Sequence, residues 1–209
     1  HIRSRVHVAH GEGSIFPYLA VVDTEPGEGK RRKPIAMDTY NGVYVVANPW
    51  EAAISPDGER IYTINAGTND MNVSKLLDDN YREIIQVGGV VQLGNNPRAV
   101  AVSPDSKTAY IYNTLDFEVQ VFDTAAYKTV AKIKVCEPPY SAEHHRGKTL
   151  FYLAVQPMVG RRWISCASCH PDGGHDGRTW QNPEGLRNTT AFLGMGHTYP
   201  IHWSADRDE

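Results

Sequence analysis

Apolar and polar residues alternate along short runs through the first three quarters of the chain, and this two-residue period is typical of strands that bury one face. The runs are rich in β-branched and aromatic residues, as in residues 61–64, 109–112, 119–122 and 129–133. Glycine, proline, asparagine and aspartate separate them and favour turns. Outside residues 74–81, helical periodicity of useful length is absent. The pattern predicts a mainly β protein.

The predicted strands belong to an internal repeat. Residues 48–62 align with residues 96–110 at a constant offset of 48, and both copies carry Asn-Pro, an apolar strand, Ser-Pro-Asp and a second strand with a tyrosine. Proline at the first central position of Ser-Pro-Asp presets φ for a tight turn. A third, weaker copy follows at an offset of 41, with His144-His145-Arg146 in place of Ser-Pro-Asp. A repeat of this length and plan is typical of a four-stranded propeller blade.

In the Ser-Pro-Asp-Gly turn and the tyrosine-rich strand after it, residues 14–155 resemble the YVTN-type β-propellers. The resemblance implies a partial β-propeller of about three blades, which we expect to occupy residues 1–157. A closed propeller has at least four blades, and an open arc leaves strand edges bare. We therefore expect the chain to be part of a longer polypeptide or to have a partner that completes the ring.

The pentapeptide Cys166-Ala167-Ser168-Cys169-His170 has the Cys-x-x-Cys-His pattern of a c-type haem attachment site. Two thiols three positions apart can each add to a vinyl group of one porphyrin, and the adjacent imidazole can then ligate the iron. We expect one covalently bound haem c, with Cys166 and Cys169 as thioether anchors and His170 as proximal ligand. The alternatives are a thioredoxin-like redox pair and half of a zinc site. Pro-Asp-Gly-Gly follows the motif at once, which favours neither alternative.

Composition and charge exclude some classes of function. The 209 residues are 41% hydrophobic and 22% charged, as in ordinary soluble globular proteins. A net charge of −3 gives no electrostatic footprint for nucleic acid, and no apolar run approaches the roughly 20 residues that span a bilayer.

The third cysteine, Cys136, has no partner once the haem takes the other two, so we expect it to be a small buried apolar residue. Because haem c is attached outside the bacterial cytoplasmic membrane, the motif implies a periplasmic or otherwise extracytoplasmic location.

From residue 163 onward the sequence resembles the N-terminal haem segment of the di-haem cytochrome c peroxidase/MauG family. The block Gly185-Leu186-Arg187-Asn188 stands where that family has Gly-Pro-Arg-Asn, and residues 202–207 stand where it has Phe-Trp-Asp-Gly-Arg. The resemblance implies that residues 158–209 form a small, mostly irregular or α-helical cytochrome c segment of an incomplete domain.

The same resemblance suggests roles for individual residues. It implies that Arg187 lies near a haem propionate, where a planar guanidinium suits a carboxylate. It implies that Trp203 relays electrons between two haems, with a structural tryptophan as the alternative. Trp180 stands where the family's peroxidases carry a displaceable distal histidine. The iron is then either open on its distal side or bound from elsewhere. The candidate distal ligands within the chain are His175, Met195, His197 and His202.

Two classes of function follow from these motifs. In the first, the chain is a c-type haem redox protein that transfers electrons within a peroxidase/MauG-like system, with the propeller as scaffold or docking face. In the second, it is a non-catalytic electron-transfer or interaction subunit of a larger multi-haem complex. A complete peroxidase of the resembling family needs two Cys-x-x-Cys-His motifs, and this sequence contains only the one at residues 166–170. The expected partner is therefore a redox protein or a further haem subunit.

Overall fold

The computed structural model describes residues 2–6, 13–19, 35–37, 46–76, 84–159, 164–182, 184–201 and 204–205. Within these residues the chain is mainly β, as predicted. The strands that precede the first helix are, in chain order, β1 (Ile2–Val6), β2 (Gly13–Leu19), β3 (Ile35–Ala36), β4 (Pro49–Ile54), β5 (Arg60–Asn65), β6 (Asp70–Leu76), β7 (Ile84–Gln86), β8 (Val91–Gln92), β9 (Pro97–Val102), β10 (Thr108–Asn113), β11 (Glu118–Asp123) and β12 (Lys128–Lys134). The later elements are α1 (Ala142–Tyr152), α2 (Cys166–Cys169), β13 (Thr179–Asn182) and β14 (Gly185–Asn188).

The 48-residue repeat forms two consecutive propeller blades. Strands β4, β5, β6 and β7 make one antiparallel sheet in sequence order, with the short β8 added beside β6, and β9 to β12 make the next. Strands β1 to β3 form a separate three-stranded sheet. Each blade begins at the proline of an Asn-Pro pair whose asparagine has a positive φ, 53° at Asn48 and 52° at Asn96. Asparagine tolerates this left-handed region better than most residues. The equivalent starts confirm the repeat.

The Ser-Pro-Asp segments are tight turns with the same hydrogen bonds in both blades. Ser55 Oγ accepts from Arg60 N at 2.9 Å, and Asp57 Oδ1 accepts from Glu59 N at 3.0 Å. Ser103 and Asp105 make the corresponding bonds to Thr108 N and Lys107 N at 2.9 and 3.1 Å. Hydrogen bonds from the serine and from the backbone lower the pKa of both carboxyls, because they favour the ionised form.

The hydrophobic core lies between the two blades. It is made of buried side chains from both sheets, Tyr62, Ile64, Met71, Val73, Val91, Val100, Ala109, Ile111 and Phe122. The opposite face of the second blade is more open: Tyr110 is 44% exposed, whereas Tyr62, its equivalent one repeat earlier, is fully buried. A face that is covered in one copy of the repeat is thus accessible in the next.

Two expectations from the sequence are wrong. The weak third copy does not form a blade, because residues 142–152 are the helix α1. Its N-cap is Ser141, whose side chain accepts from His144 N at 3.2 Å, and no Ser-Pro-Asp turn reverses the chain there. Cys136 is exposed rather than buried, because it follows β12, a strand whose residues are all exposed.

The chain after β12 runs along the end of the blades at which β4 and β9 begin. Ala154 N donates to Gly67 O at 2.7 Å, and Ala154 is fully buried. This contact joins the segment after α1 to the turn between β5 and β6. Among the described residues, none of the helices combines the length and the apolar character needed to cross a membrane.

Candidate functional site

The Cys-x-x-Cys-His pentapeptide forms a single helical turn that presents both thiols. Ser165 precedes the turn in an extended conformation, and its backbone N–H donates to Ser168 Oγ at 2.9 Å. The turn is closed by His170 N, which donates to Cys166 O at 2.9 Å. Cys166 is exposed and Cys169 is half-buried, and the structure contains no bond between them. Both thiols therefore lie on one helical turn, three positions apart, with the thiol of Cys166 accessible at the surface.

His170 is oriented by two contacts. Its Nδ1 atom lies 2.8 Å from Thr190 O, and its ring stacks on Phe192 with 3.9 Å between the ring centroids. A carbonyl oxygen can only accept, so Nδ1 is the donor in this contact, and in the neutral imidazole the lone pair is then on Nε2. A hydrogen bond of this kind from the far ring nitrogen is what fixes metal-binding histidines in proteins. The geometry therefore prepares Nε2 as a ligand atom.

A cavity of about 710 Å³ opens beside His170 and Cys169. This volume is within the range typical of cofactor pockets, roughly 300–1,000 Å³. The hairpin of β13 and β14 supplies Trp180 and Arg187, which pair directly across the two strands. Trp180 Nε1 donates to Asp176 Oδ2 at 3.0 Å and to Thr189 Oγ1 at 2.9 Å, so the indole is held in place. The residues fit a flat group that carries both apolar and carboxylate parts.

The structure brings several of the predicted site residues together. Cys169, His170, Arg187 and Met195 all line this cavity, together with Trp180. His197 is in the same short 3-10 turn as Met195 but is exposed and does not line the cavity.

Two predicted residues cannot be placed, and one candidate has another contact. His202 and Trp203 lie outside the described residues, so their roles stay predictions. His175 is exposed, and its Nδ1 atom accepts from Gly177 N at 3.1 Å.

The electrostatics of Cys169 differ from those of a redox dithiol. Burial, reinforced by the nearby Asp176 carboxylate, raises the pKa of the Cys169 thiol to about 11. Reactive Cys-x-x-Cys pairs have a lowered thiol pKa, because the thiolate is the nucleophile. A structural zinc site needs four ligands, and in the part of the chain that the structure describes no three His, Cys, Asp or Glu side chains are placed so that they could hold a metal ion together.

The residues that hold the turn from the propeller side could not be found from the sequence. Asn48 hydrogen-bonds to both serines of the turn, and Arg98 forms an ion pair with Asp172 at 2.6 Å. A second cavity, of about 270 Å³, lies between these blade residues and the turn. The one signal in the sequence is that Asn48 and Arg98 both belong to the repeated Asn-Pro-x segment.

The fold and this site can now be compared with known proteins. A family profile described as "Lactonase, 7-bladed beta-propeller" matches residues 43–149, just over half of the 209 residues. The chain therefore belongs to this seven-bladed β-propeller family. The match covers both blades and most of α1, and it ends before the Cys-x-x-Cys-His turn.

Individual relatives are more distant. The seven-bladed β-propeller protein Rv1057 of Mycobacterium tuberculosis is 24% identical over 142 residues, which are 65% of this chain and 36% of that protein. Hydrazine synthase of Kuenenia stuttgartiensis is 26% identical with a TM-score of 0.37, over 47% of this chain and 27% of that one. The periplasmic gluconolactonase PpgL of Pseudomonas aeruginosa is 18% identical with a TM-score of 0.47, over 67% and 40%. The chain thus spans about a third of the length of the curated relative that it matches.

Proposed function

We propose that the chain is a c-type haem redox protein that transfers electrons, with one haem attached at Cys166 and Cys169 and ligated by His170. The observation that carries the proposal is the His170–Thr190 hydrogen bond, which occupies Nδ1 of a histidine that lines a cavity of cofactor size and leaves Nε2 as the ligand atom of the neutral ring. A histidine with a merely structural role has no need of a neighbouring pair of thiols on one turn. The family match does not extend to this segment, so the proposal rests on the residues themselves.

Each residue of the site has a part in holding the haem. Cys166 and Cys169 supply the thioether sulfurs, and the neutral Cys169 thiol suits addition to a vinyl group once the haem is bound. Arg187 offers its guanidinium to a propionate. Met195 is the candidate distal ligand that lines the same cavity as His170, which favours it over His197. The haem, when bound, supplies one-electron chemistry at a potential that its axial ligands set.

The wider role that we propose is electron transfer within a peroxidase/MauG-like system, in a periplasmic or otherwise extracytoplasmic location. The propeller serves as scaffold or docking face, and Trp203 is the proposed electron relay. Peroxidase activity needs a second haem, from a further segment or subunit. The alternative is a non-catalytic electron-transfer or interaction subunit of a larger multi-haem complex. Reduction of the haem by a partner without turnover of peroxide would favour this alternative.

The proposed partner also has a structural part. The uncovered face of the second blade carries Tyr110, which is exposed, and the half-buried Tyr112, Val119 and Val121. Their equivalents one repeat earlier, Tyr62, Ile64, Met71 and Val73, are buried against the next blade. We propose that another blade of the same repeat covers this face in the complete protein or complex. The native mass of the protein from its source should then exceed the 23.2 kDa of this chain. A monomer of 23.2 kDa would contradict it.

The family description supports a second candidate function, lactone hydrolysis at the propeller. It is the weaker candidate because one fold hosts many activities, and the chain spans about a third of its curated relative. Ring opening of a gluconolactone above the spontaneous rate, unaffected when both Cys166 and Cys169 are replaced by alanine, would favour hydrolysis over electron transfer.

The experiment that tests the haem proposal uses the chain expressed with a bacterial haem-attachment system. We expect haem staining to remain on the denatured polypeptide after acid extraction, and we expect Cys166→Ala with Cys169→Ala to abolish it. Cys136→Ala is the matched control and should keep the stain, because Cys136 is exposed at a distance from the turn in sequence. Haem that passes into organic solvent from the unmodified protein would overturn the proposal.

A further inference from the structure

The two blades present equivalent positions to the Cys-x-x-Cys-His turn. Asn48 and Trp50 of the first blade correspond to Asn96 and Arg98 of the second at the offset of 48. Trp50 and Arg98 are in contact, with the guanidinium carbon 4.0 Å from the indole centroid. Trp50 and Arg98 lie in the strands β4 and β9, and Asn48 and Asn96 directly precede the first residues of these strands. The turn therefore packs against the edge at which the two blades begin.

Asn48 holds the beginning of the turn. Its Nδ2 atom donates to Ser165 Oγ at 2.8 Å, and its Oδ1 atom accepts from Ser168 Oγ at 2.6 Å. The two serines flank Cys166 and Ala167, so one amide bridges the residues on either side of the first thiol. Ser165 is buried, which makes loss of its partner costly.

Arg98 holds the end of the turn. Its Nη2 atom lies 2.6 Å from Asp172 Oδ1, and Tyr152 OH donates to the same oxygen at 2.8 Å. The guanidinium also lies over the rings of Trp50 and Tyr152, with its central carbon 4.0 and 4.9 Å from their centroids. Such cation–π contacts fix the direction of the arginine fork. Asp172 has a φ of 51°, a left-handed conformation that persists when its surroundings hold it.

The Arg98–Asp172 ion pair is connected to His170 through a short series of contacts. Gly173, the next residue, accepts from Phe192 N at 2.7 Å, and the Phe192 ring stacks on His170. Gly173 N in turn donates to His170 O at 3.0 Å. A displacement of Asp172 would therefore move both the backbone of His170 and the ring that packs on it.

We propose that Asn48 and Arg98 are positioning residues for the haem: the propeller holds the Cys-x-x-Cys-His turn at both ends and sets how His170 presents Nε2. This inference rests on the proposed haem function. It extends that function by giving the propeller a direct part in the properties of the iron site.

The first test uses haem-free protein and measures hydrogen exchange at Ser168 N and His170 N. We expect the turn to be protected before any haem is attached. Asn48→Gly, which keeps the positive φ, and Arg98→Ala should each speed exchange about tenfold, the loss that one or two side-chain hydrogen bonds would cause. Asn69→Gly and Arg60→Ala are the controls, because their side chains bond within the propeller. Unprotected turn amides in the unmodified protein would overturn the inference.

The second test uses haem-loaded protein and measures the midpoint potential and the Soret circular dichroism. Arg98→Ala and Asp172→Asn should change both, and the double variant should change them no more than either single variant, because the two residues act as a pair. Arg98→Lys restores the charge without the planar fork and should recover part of the effect. Haem bound with unchanged potential and dichroism in Arg98→Ala and Asn48→Gly would overturn this inference and leave the haem proposal standing. Absence of covalent haem from the unmodified protein would overturn both.

Discussion

Cys169 shows how one residue's surroundings decide between chemistries that a sequence motif leaves open. Its half-buried thiol has a raised pKa, and burial contributes more to the rise than the Asp176 carboxylate does. Deprotonation is therefore disfavoured, in contrast to the activated thiol of a redox pair. The nearby Arg178 guanidinium lowers this pKa but does not offset the effect of burial.

We predict that Cys169 of the haem-free protein titrates with a pKa of about 11. At pH 9 it should react with iodoacetamide more slowly than the exposed Cys136, because alkylation proceeds through the thiolate. Peptide mapping after timed alkylation measures both rates. A Cys169 pKa at or below the ordinary value of 9 would contradict this account of its environment.

The raised pKa also affects stability in a defined direction. Between about pH 9 and pH 11 the folded chain retains a proton at Cys169 that the unfolded chain has lost. This group therefore lowers the free energy of unfolding as the pH rises through that window. Cys169→Ser should make the decline shallower.

At the scale of single elements, the Ser-Pro-Asp turns explain why the blades form where the sequence predicts them. Each turn satisfies two backbone N–H groups with serine and aspartate oxygens before the next strand begins. Where the third copy lacks these residues, the chain starts the helix α1 at the Ser141 cap instead. The outcome is decided locally, by which side chains can accept the exposed backbone hydrogens.

We predict that Ser55→Ala lowers the free energy of unfolding by about 1 kcal/mol and Ser103→Ala by less. Ser55 is 3% exposed, so Arg60 N would lose its partner in a place that water reaches poorly. Ser103 is half-buried, and water can replace its oxygen more easily. Urea unfolding of both variants measures the difference. Equal losses of unfolding free energy in the two variants would show that burial of the turn serine does not affect its contribution to stability.

The turns also predict an acid dependence. The lowered pKa of Asp57 and of Asp105 means that each contributes stability above the ordinary pKa of 3.8 and loses it as the pH falls through its folded value. Asp57→Asn should make the free energy of unfolding fall less steeply as the pH is lowered. The contribution of Asp105, in the second blade's turn, should remain.

At the scale of the whole molecule, the two blades are connected to the Cys-x-x-Cys-His turn. The blades share one core, and the turn contacts Asn48, which directly precedes β4, while Asp172 just after it contacts Arg98 in β9. A substitution that destabilises the core between the blades should therefore also disturb the Cys-x-x-Cys-His turn. A propeller that served only as a linker would not have this effect on the turn.

We predict that Phe122→Ala costs about 3–5 kcal/mol in the free energy of unfolding, as expected when a fully buried aromatic ring is removed. Phe122 packs edge-on against Tyr127 with 5.3 Å between the ring centroids. Val130→Ala, at a side chain 53% exposed on the edge strand β12, is the control and should change stability little. A small loss at Phe122 would mean that the blades do not share a cooperative core.

The sequence predicted the two blades that carry Ser-Pro-Asp, because strands, turns and the repeat are local patterns within about 48 residues, and it was wrong about the weak third copy, which is the helix α1. It named Cys169, His170, Arg187 and Met195, which line one cavity, and their roles toward a haem stay predictions. It could not predict that Asn48 contacts Ser165 or that Arg98 contacts Asp172. These contacts cross 117 and 74 residues, and nothing in the local pattern of either partner requires them.

The most direct test of the central claim is the mass of the peptide that contains residues 166–170, taken from protein expressed with a haem-attachment system. The account predicts that this peptide carries the added mass of one haem and that neither of its thiols can be alkylated. A peptide of unmodified mass with two free thiols, from protein whose expression host attaches haem to a control cytochrome c, would contradict it.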